Sequence, residues 1–280
     1  MIVGDMEQKM RHAKQKVQDA IEAHHGTTLL STGITGDDAR MALAAVKAGA
    51  RMIEPNHPAL ALARGYKGVT SMHVAEGLRH EISVDQMAEA VHGVRNVVGN
   101  DIYITVGAAG TFTEVMPTPL TEEDVIKLAR AGADGLHTHK STIEDLKDMV
   151  DIAHRYGLLI DAYIAHPSDR HLFGVPCETP KEVAETAKKM EAIGVDFVGL
   201  MTGMSYEGVE AGKIADPVKA RIDALVKAVS VPTLAEGGIN LDNFKAFIGT
   251  GVNIIVVGTA IDDVAREAVD RVVRTFVEHE

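Results

Sequence analysis

Several side chains fall at spacings suited to chemistry. Glu54 is followed by Asn56 and His57, His137 by His139 and Lys140, and Asp161 by His166. At positions i and i+2 of an extended segment, His137 and His139 point to the same face, so both imidazoles share one pocket if that face is interior. Three chemistries suit such a set. A histidine or carboxylate pair can move a proton next to a carbonyl, and an imidazole titrates near neutral pH. His137, His139 and one of Glu54, Asp161 or His166 can hold a divalent metal, since the ligand types are right. Lys140 can form a Schiff base if a dry pocket lowers its pKa. The plain alternative is that these groups only bind substrate or satisfy the core. The acid–base reading gives Glu54, His137, Asp161 and Lys140 catalytic places and leaves His139, His166 and Asn56 to bind substrate, with no residue assigned to a metal.

A second feature lies further along. The stretch Pro232-Thr233-Leu234-Ala235-Glu236-Gly237-Gly238-Ile239-Asn240 is followed, about twenty residues on, by Ile255-Val256-Val257-Gly258-Thr259-Ala260-Ile261. Glycines at the ends of two apolar runs let backbone N–H groups approach an anion closely. A helix starting just after each turn would add partial positive charge, and Thr259 a hydroxyl donor. Gly237, Gly238, Gly258 and Thr259 are therefore expected to hold a phosphate, the plain alternative being tight turns alone.

These residues need elements to position them. Eight short apolar runs alternate with amphipathic stretches: Thr28–Ile34, Met52–Glu54, Ile102–Val106, Gly135–His139, Leu158–Ile164, Phe197–Met201, Thr233–Ala235 and Ile254–Val257. Runs apolar at every position read as parallel strands buried on both faces. Ser83 with Gln86, Ser141 with Glu144 and Thr179 with Glu182 read as helix capping boxes, and Pro180 and Pro217 suit first-turn positions. Ala48-Gly49-Ala50-Arg51, Ala131-Gly132-Ala133-Asp134, Ile193-Gly194-Val195-Asp196 and Thr250-Gly251-Val252-Asn253 recur before every second strand. Each glycine can end a helix in the left-handed conformation. The pattern predicts an α/β chain folded as one (β/α)8 TIM barrel over residues 1–280, about the length that such a barrel needs. Residues 1–25 form a helical extension, with Met10, Ala13, Val17 and Ile21 on one face. Residues 56–100 form a long connection after strand two, in which 76–81 could act as a lid, as could Arg170 and His171 after strand five. On this topology both glycine turns and all the ionisable groups gather at the C-terminal ends of the strands, where barrel enzymes carry their sites.

The glycine turns resemble those of the ribulose-phosphate-binding barrels. The Ala-Glu-Gly-Gly-Ile and Val-Val-Gly-Thr-Ala-Ile pair looks like N-acetylmannosamine-6-phosphate 2-epimerases. Val195-Asp196-Phe197-Val198-Gly199-Leu200-Met201-Thr202-Gly203 is similar to 3-hexulose-6-phosphate synthases. The resemblance covers roughly residues 190–265 and implies a phosphate held by Gly203, Gly237, Gly238, Gly258 and Thr259, with Glu236 in acid–base chemistry. The epimerases' strand-three lysine has no counterpart in Ile104-Thr105-Val106-Gly107-Ala108-Ala109, and the synthases' Asp-x-Lys-x-x-Asp motif is missing. That points to a different isomerisation, epimerisation or carbon–carbon cleavage of a related phosphosugar, the alternatives being a metal-dependent aldolase or hydrolase and a non-catalytic barrel that binds a phosphorylated ligand. FMN-binding barrels carry a similar glycine pair, so a flavin phosphate is an alternative occupant. The family also implies a homo-oligomer.

Bulk properties set limits. A net charge of −12 argues against nonspecific nucleic-acid binding and against an anionic membrane surface. Cys177 is the only cysteine, so no intramolecular disulfide can form, and a reducing compartment is the natural expectation. Asp5, Glu7 and Lys9 interrupt any signal-peptide core, and no apolar run nears the roughly 20 residues of a membrane span. A cytoplasmic protein is expected.

Overall fold

The computed structural model describes residues 3–76, 82–108, 120–169, 173–203 and 212–278. Eight parallel strands close into a barrel: β1 (Thr28–Ser31), β2 (Met52–Ile53), β3 (Tyr103–Val106), β4 (Gly135–Thr138), β5 (Leu159–Ala165), β6 (Phe197–Met201), β7 (Thr233–Glu236) and β8 (Ile254–Val257). Each pairs with the next, and β8 returns to β1 with Leu30 opposite Val256. A two-residue strand, Val175–Pro176, pairs in parallel beside the end of β5. All eight apolar runs in the sequence are barrel strands.

Period-two alternation on these strands separates two cores. Ile104, Leu136, Ile160, Val198 and Ile255 face outward into the layer between sheet and helices. Leu30, Met52, Tyr103, Leu159, Tyr163, Phe197, Leu234 and Ile254 face the barrel interior. Glycines make room for the large inward rings. A Cβ on Gly135 would stand 2.2 Å from the Tyr103 hydroxyl, and one on Gly199 would stand 2.4 Å from the Tyr163 ring. The N-terminal helix (Val3–Ala23) lays Ala13, Val17, Ala20 and Ile21 onto the interior cluster.

Charge fixes that helix to the N-terminal rim. Lys16 reaches Asp134 at 2.8 Å and Lys14 reaches Asp196 at 2.7 Å. Both aspartates belong to the glycine repeat, whose glycines all have positive φ, from 94° to 114°. Beyond ending a helix, three of the four repeats, all but the one that ends in Arg51, place a side-chain acceptor before an even strand. Asp134 accepts from the Ile104 N–H, Asp196 from that of Ile160 and Asn253 from that of Thr233. The start of each of β4, β6 and β8 is thus tied to the strand before it.

The capping boxes at Ser83 and Thr179 form as read. At the third helix the cap is Thr142, which accepts from the Asp145 N–H, one residue beyond the Ser141–Glu144 pair. The connection after β2 contains helices His57–Ala63, Met72–Glu76 and Val84–Val98; of the expected lid at 76–81, only Glu76 is described, and 77–81 and Arg170 with His171 lie outside the described residues. The C-terminal helix (Thr259–Glu278) buries no residue and exposes Val269, Val272, Val273, Phe276 and Val277. Among the described residues no helix is long and apolar enough to cross a membrane.

Candidate active site

Inward positions on the lower part of the strands are apolar. Above them the interior turns polar: Thr105, His137, His139 and Asp161 are buried, and so is Glu54 just past β2. A cavity of about 290 Å³ opens over this layer. Thr32, Glu54, Asn56, His137, His139 and Glu236 line one part, and Gly237, Gly238, Gly258, Thr259 and Ala260 line another. The ionisable cluster and both glycine turns therefore share one cavity.

Register explains the central contact. His137 on β4 is the direct partner of Asp161 on β5, and its Nδ1 lies 2.6 Å from Asp161 Oδ2. Thr105 on β3 donates its hydroxyl to the other oxygen of Asp161 at 2.7 Å. His137 Nε2 faces His139 Nε2 at 2.9 Å and Glu236 Oε2 at 3.5 Å, and the latter two atoms are 3.8 Å apart. Glu54 Oε2 approaches His137 Nδ1 to 3.8 Å. The Tyr163 ring packs on both imidazoles, and Phe173 stacks on His139 with centroids 4.8 Å apart.

Three carboxylates and an imidazole in so dry a place must share charge. Burial pushes the Glu54 carboxyl up to about 8, helped by Glu236 and Asp161 and opposed by His137. Burial would lower His137, but Glu54, Asp161 and Glu236 outweigh it and raise it to about 10. Glu236 goes the other way: despite burial, His137 and His139 hold it below the usual carboxylate range. The geometry leaves Glu54 as the group whose proton is loosely held near neutral pH, beside an ionised Glu236 and a cationic His137.

Loop chemistry holds Glu54 in place. Asn56 caps the helix His57–Ala63, accepting from the Ala59 N–H at 2.9 Å, while its amide donates to the Thr32 hydroxyl. That hydroxyl donates to the Glu54 carbonyl at 3.0 Å. His57 turns away from the cavity, with its Nδ1 3.0 Å from the Gly107 carbonyl oxygen, and ties the β2 loop to the end of β3.

On the glycine side, Gly237 and Gly238 have φ of 100° and 71°. A Cβ on Gly237 would stand 2.8 Å from the Gly203 nitrogen. Gly203 thus backs Gly237 and does not line the cavity among the described residues. The Thr202 hydroxyl secures the turn by donating to the Glu236 and Gly237 carbonyls. The expected helix after β7 is a four-residue 3-10 turn, Phe244–Phe247. Its place behind Gly238 is taken by Asn243, which donates to the Gly238 carbonyl at 2.9 Å. Of the two helices expected after the glycine turns, the C-terminal one, starting at Thr259, does bring its N-terminus to the cavity. Asp263 stands on the same rim, paired with Arg266 at 2.8 Å.

Not every residue picked from the sequence joins this cavity. Lys140 is half-buried, and burial lowers its pKa, but it does not line the cavity among the described residues. His166 is engaged in its own turn with Ser168 and Asp169. Asp161 stands behind His137. Three residues the sequence reading passed over belong here: Thr105, Tyr163 and Thr32. The first two follow the alternation that exposed the histidines, Tyr163 being two residues from Asp161; Thr32 carries no such signal.

Asp37 is a further surprise. Both of its carboxylate oxygens are buried without a hydrogen-bond partner. Burial, then repulsion from Asp262 and Glu54, raises its pKa well above the ordinary value. A carboxyl raised in the folded state binds its proton more tightly there, so stability falls as pH climbs from the unfolded value, near 4, through the folded one. Asp37→Asn is expected to raise the melting temperature by about 2–4 °C at pH 7, a gain that fades below pH 4. Calorimetry across that range checks it, and an equal gain at pH 3 would refute the cause.

No family model matches the chain. It is 28% identical over 169 residues to the thiamine-phosphate synthase of Clostridium novyi (strain NT), covering 60% of this chain and 72% of that protein. It is 28% identical over 140 residues to imidazole glycerol phosphate synthase subunit HisF of Campylobacter concisus (strain 13826), covering 48% of this chain and about half, 53%, of that relative. Among solved structures, tryptophan synthase subunit alpha from Legionella pneumophila str. Paris superposes with a TM-score of 0.62 at 16% identity, over 93% of this chain and 90% of that one. A 2,3-dimethylmalate lyase, a member of the PEP mutase/isocitrate lyase superfamily, gives 0.61 at 13%, over 94% and 87%. At such identities the structural likeness is one of fold.

Proposed function

We propose that this chain is an enzyme that moves a proton next to a carbonyl group of a small phosphorylated substrate, as an isomerase or epimerase or as a carbon–carbon lyase. The observation that carries the reading is the single cavity that joins Glu54, His137, His139 and Glu236 to both glycine turns. Two relatives named for phosphate compounds, and a lyase of the same fold, support it.

In this reading the phosphate sits against the Gly237-Gly238 turn and the first N–H groups of the C-terminal helix, where the helix dipole favours an anion. Among the described lining residues none is Lys or Arg, so backbone donors carry the anchor. The other end of the substrate lies over the histidines. Glu54 removes the proton from the carbon beside the carbonyl, and the electron pair moves onto the carbonyl oxygen. The cationic His137 stabilises that oxygen as it gains charge. Returning the proton to the former carbonyl carbon, while the proton of the adjacent hydroxyl passes to the former carbonyl oxygen, isomerises the substrate; returning it to its own carbon from the other face epimerises it. In a cleavage, Glu54 takes the proton of a hydroxyl, the adjacent carbon–carbon bond breaks, and its pair forms the same enolate.

The test is a panel of sugar phosphates and phosphorylated hydroxy acids in D2O, followed by proton NMR. Deuterium entry beside a carbonyl, or a cleaved product, is expected with at least one member. Gly258→Val probes the anchor, because a Cβ there would already stand 2.7 Å from the Thr32 methyl. It is expected to raise KM at least tenfold and to change kcat less. No exchange or turnover across the panel, with no phosphate at Gly237 and Gly258 in crystals soaked in it, would sink the reading.

A further inference from the structure

The polar layer contains one arrangement that proton transfer alone does not explain. His137 Nε2, His139 Nε2 and Glu236 Oε2 form a triangle with sides of 2.9, 3.5 and 3.8 Å. A point equidistant from the three lies about 2.0 Å from each, the bond length of a first-row divalent metal to imidazole nitrogen and carboxylate oxygen.

The surroundings fit the same reading. Asp161 Oδ2 lies 2.6 Å from His137 Nδ1, so when an ion displaces the proton from Nε2, the carboxylate favours keeping the other proton on Nδ1 and turns the Nε2 lone pair to the triangle. A carboxylate behind a ligating histidine is the usual partner that fixes tautomer and orientation. Asp161 is itself held by Thr105. Glu236 Oε2 is buried and accepts no hydrogen bond among the described residues, an arrangement costly for a carboxylate unless a cation answers it. Without an ion, the two facing nitrogens have at most one proton to share.

We propose that His137 Nε2, His139 Nε2 and Glu236 Oε2 bind one divalent transition-metal ion, with Asp161 as the positioning residue and the open coordination sites facing the cavity. Two imidazoles select zinc, cobalt, iron or nickel over magnesium or calcium, which prefer oxygen ligands. The proposed third ligand differs from the three options open in the sequence: Glu54 stays free to move a proton, Asp161 stands behind the ligand, and His166 is engaged in its own turn. With the ion bound, His137 is neutral and the ion replaces its charge in polarising the substrate's carbonyl oxygen; that use in catalysis rests on the function proposed above. Ion binding itself does not, and it is measured without substrate.

Full-length, tag-free protein is stripped with a chelator and titrated with Co2+, followed by visible absorption and calorimetry, with Zn2+ as competitor. One ion per chain is expected. His139→Ala should lower the affinity at least 100-fold. Asp161→Asn should lower it about 10–100-fold and shift the cobalt bands while keeping the stoichiometry. X-ray absorption of the cobalt-loaded wild type should show two imidazole ligands, a result that needs no variant to fold. Less than half an equivalent bound, a cobalt shell without imidazole, or unchanged affinity in folded His139→Ala overturns the proposal. Deuterium exchange by protein that binds no ion would separate this failure from that of the proposed reaction.

Discussion

Glu54→Gln is expected to cut kcat for the proton-transfer step by about 10³-fold, within the range that a positioned general base supplies. The substitution keeps the shape of the side chain and leaves the Thr32–Asn56 bonding to the backbone in place, so position is preserved and only the proton acceptor is lost. Stability should move the other way. Glu54 carries a pKa pushed up to about 8, well above its unfolded value near 4.3. By the same sign rule as for Asp37, its contribution to stability falls as pH rises between those two values, and at pH 7 most of that loss is present. Removing the carboxyl removes the loss, so the metal-free variant should melt several degrees higher at pH 7 and gain little at pH 4. Deuterium exchange reads the first effect, and scanning calorimetry after chelation reads the second. A variant that keeps more than a tenth of wild-type turnover would remove Glu54 from the chemistry; one that melts lower at pH 7 would refute the electrostatic account.

The second large effect concerns backbone. Gly36 lies in the short helix Ile34–Asp37 that packs beneath the end of β2. A Cβ there would stand 2.0 Å from the Glu54 carbonyl oxygen, 2.5 Å from its carbon and 2.8 Å from the Pro55 nitrogen. No rotamer relieves a clash with main chain. Gly36→Ala must push the helix from the strand, breaking the packing that seats Thr32 and Glu54. The expected cost is about 3 kcal/mol or more, a fall of roughly 10 °C in melting temperature. Thermal unfolding checks it, and a drop of less than 2 °C would mean that the strand end yields freely.

The barrel was legible because parallel strands buried on both faces announce themselves as unbroken apolar runs. Boundaries set by local hydrogen bonding were harder. Ser141 and Thr142 are adjacent hydroxyls, each with an acid three residues on, and only the turn geometry chose Thr142 and Asp145. The histidine pair was legible for the same reason as the strands, by alternation. What sequence could not supply was the way in which β4 meets β7 across the barrel. That approach brings Glu236 to His137 and His139, although about a hundred residues of chain separate them. Likewise nothing local said that the chain after β7 would form a 3-10 turn, since Gly237-Gly238-Ile239-Asn240 looks like a helix entry and becomes an asparagine-bonded loop.

The ties at the N-terminal rim have a consequence for how the barrel can change. Asp134, Asp196 and Asn253 each bind the strand before their own, so their side chains stitch the rim as 3–4, 5–6 and 7–8, whereas at the 4–5 and 6–7 seams the bonds described there are those of the backbone. At this rim the side chains thus group the strands in pairs, laid over a backbone ladder that runs unbroken from pair to pair. Duplicating or exchanging such a pair breaks none of these side-chain bonds. The lysines of the N-terminal helix then span two pairs, reaching Asp134 and Asp196 together. At this end the chain is a clasp over paired strands, whereas the opposite end needs β2, β4 and β7 at once to make a single reactive surface.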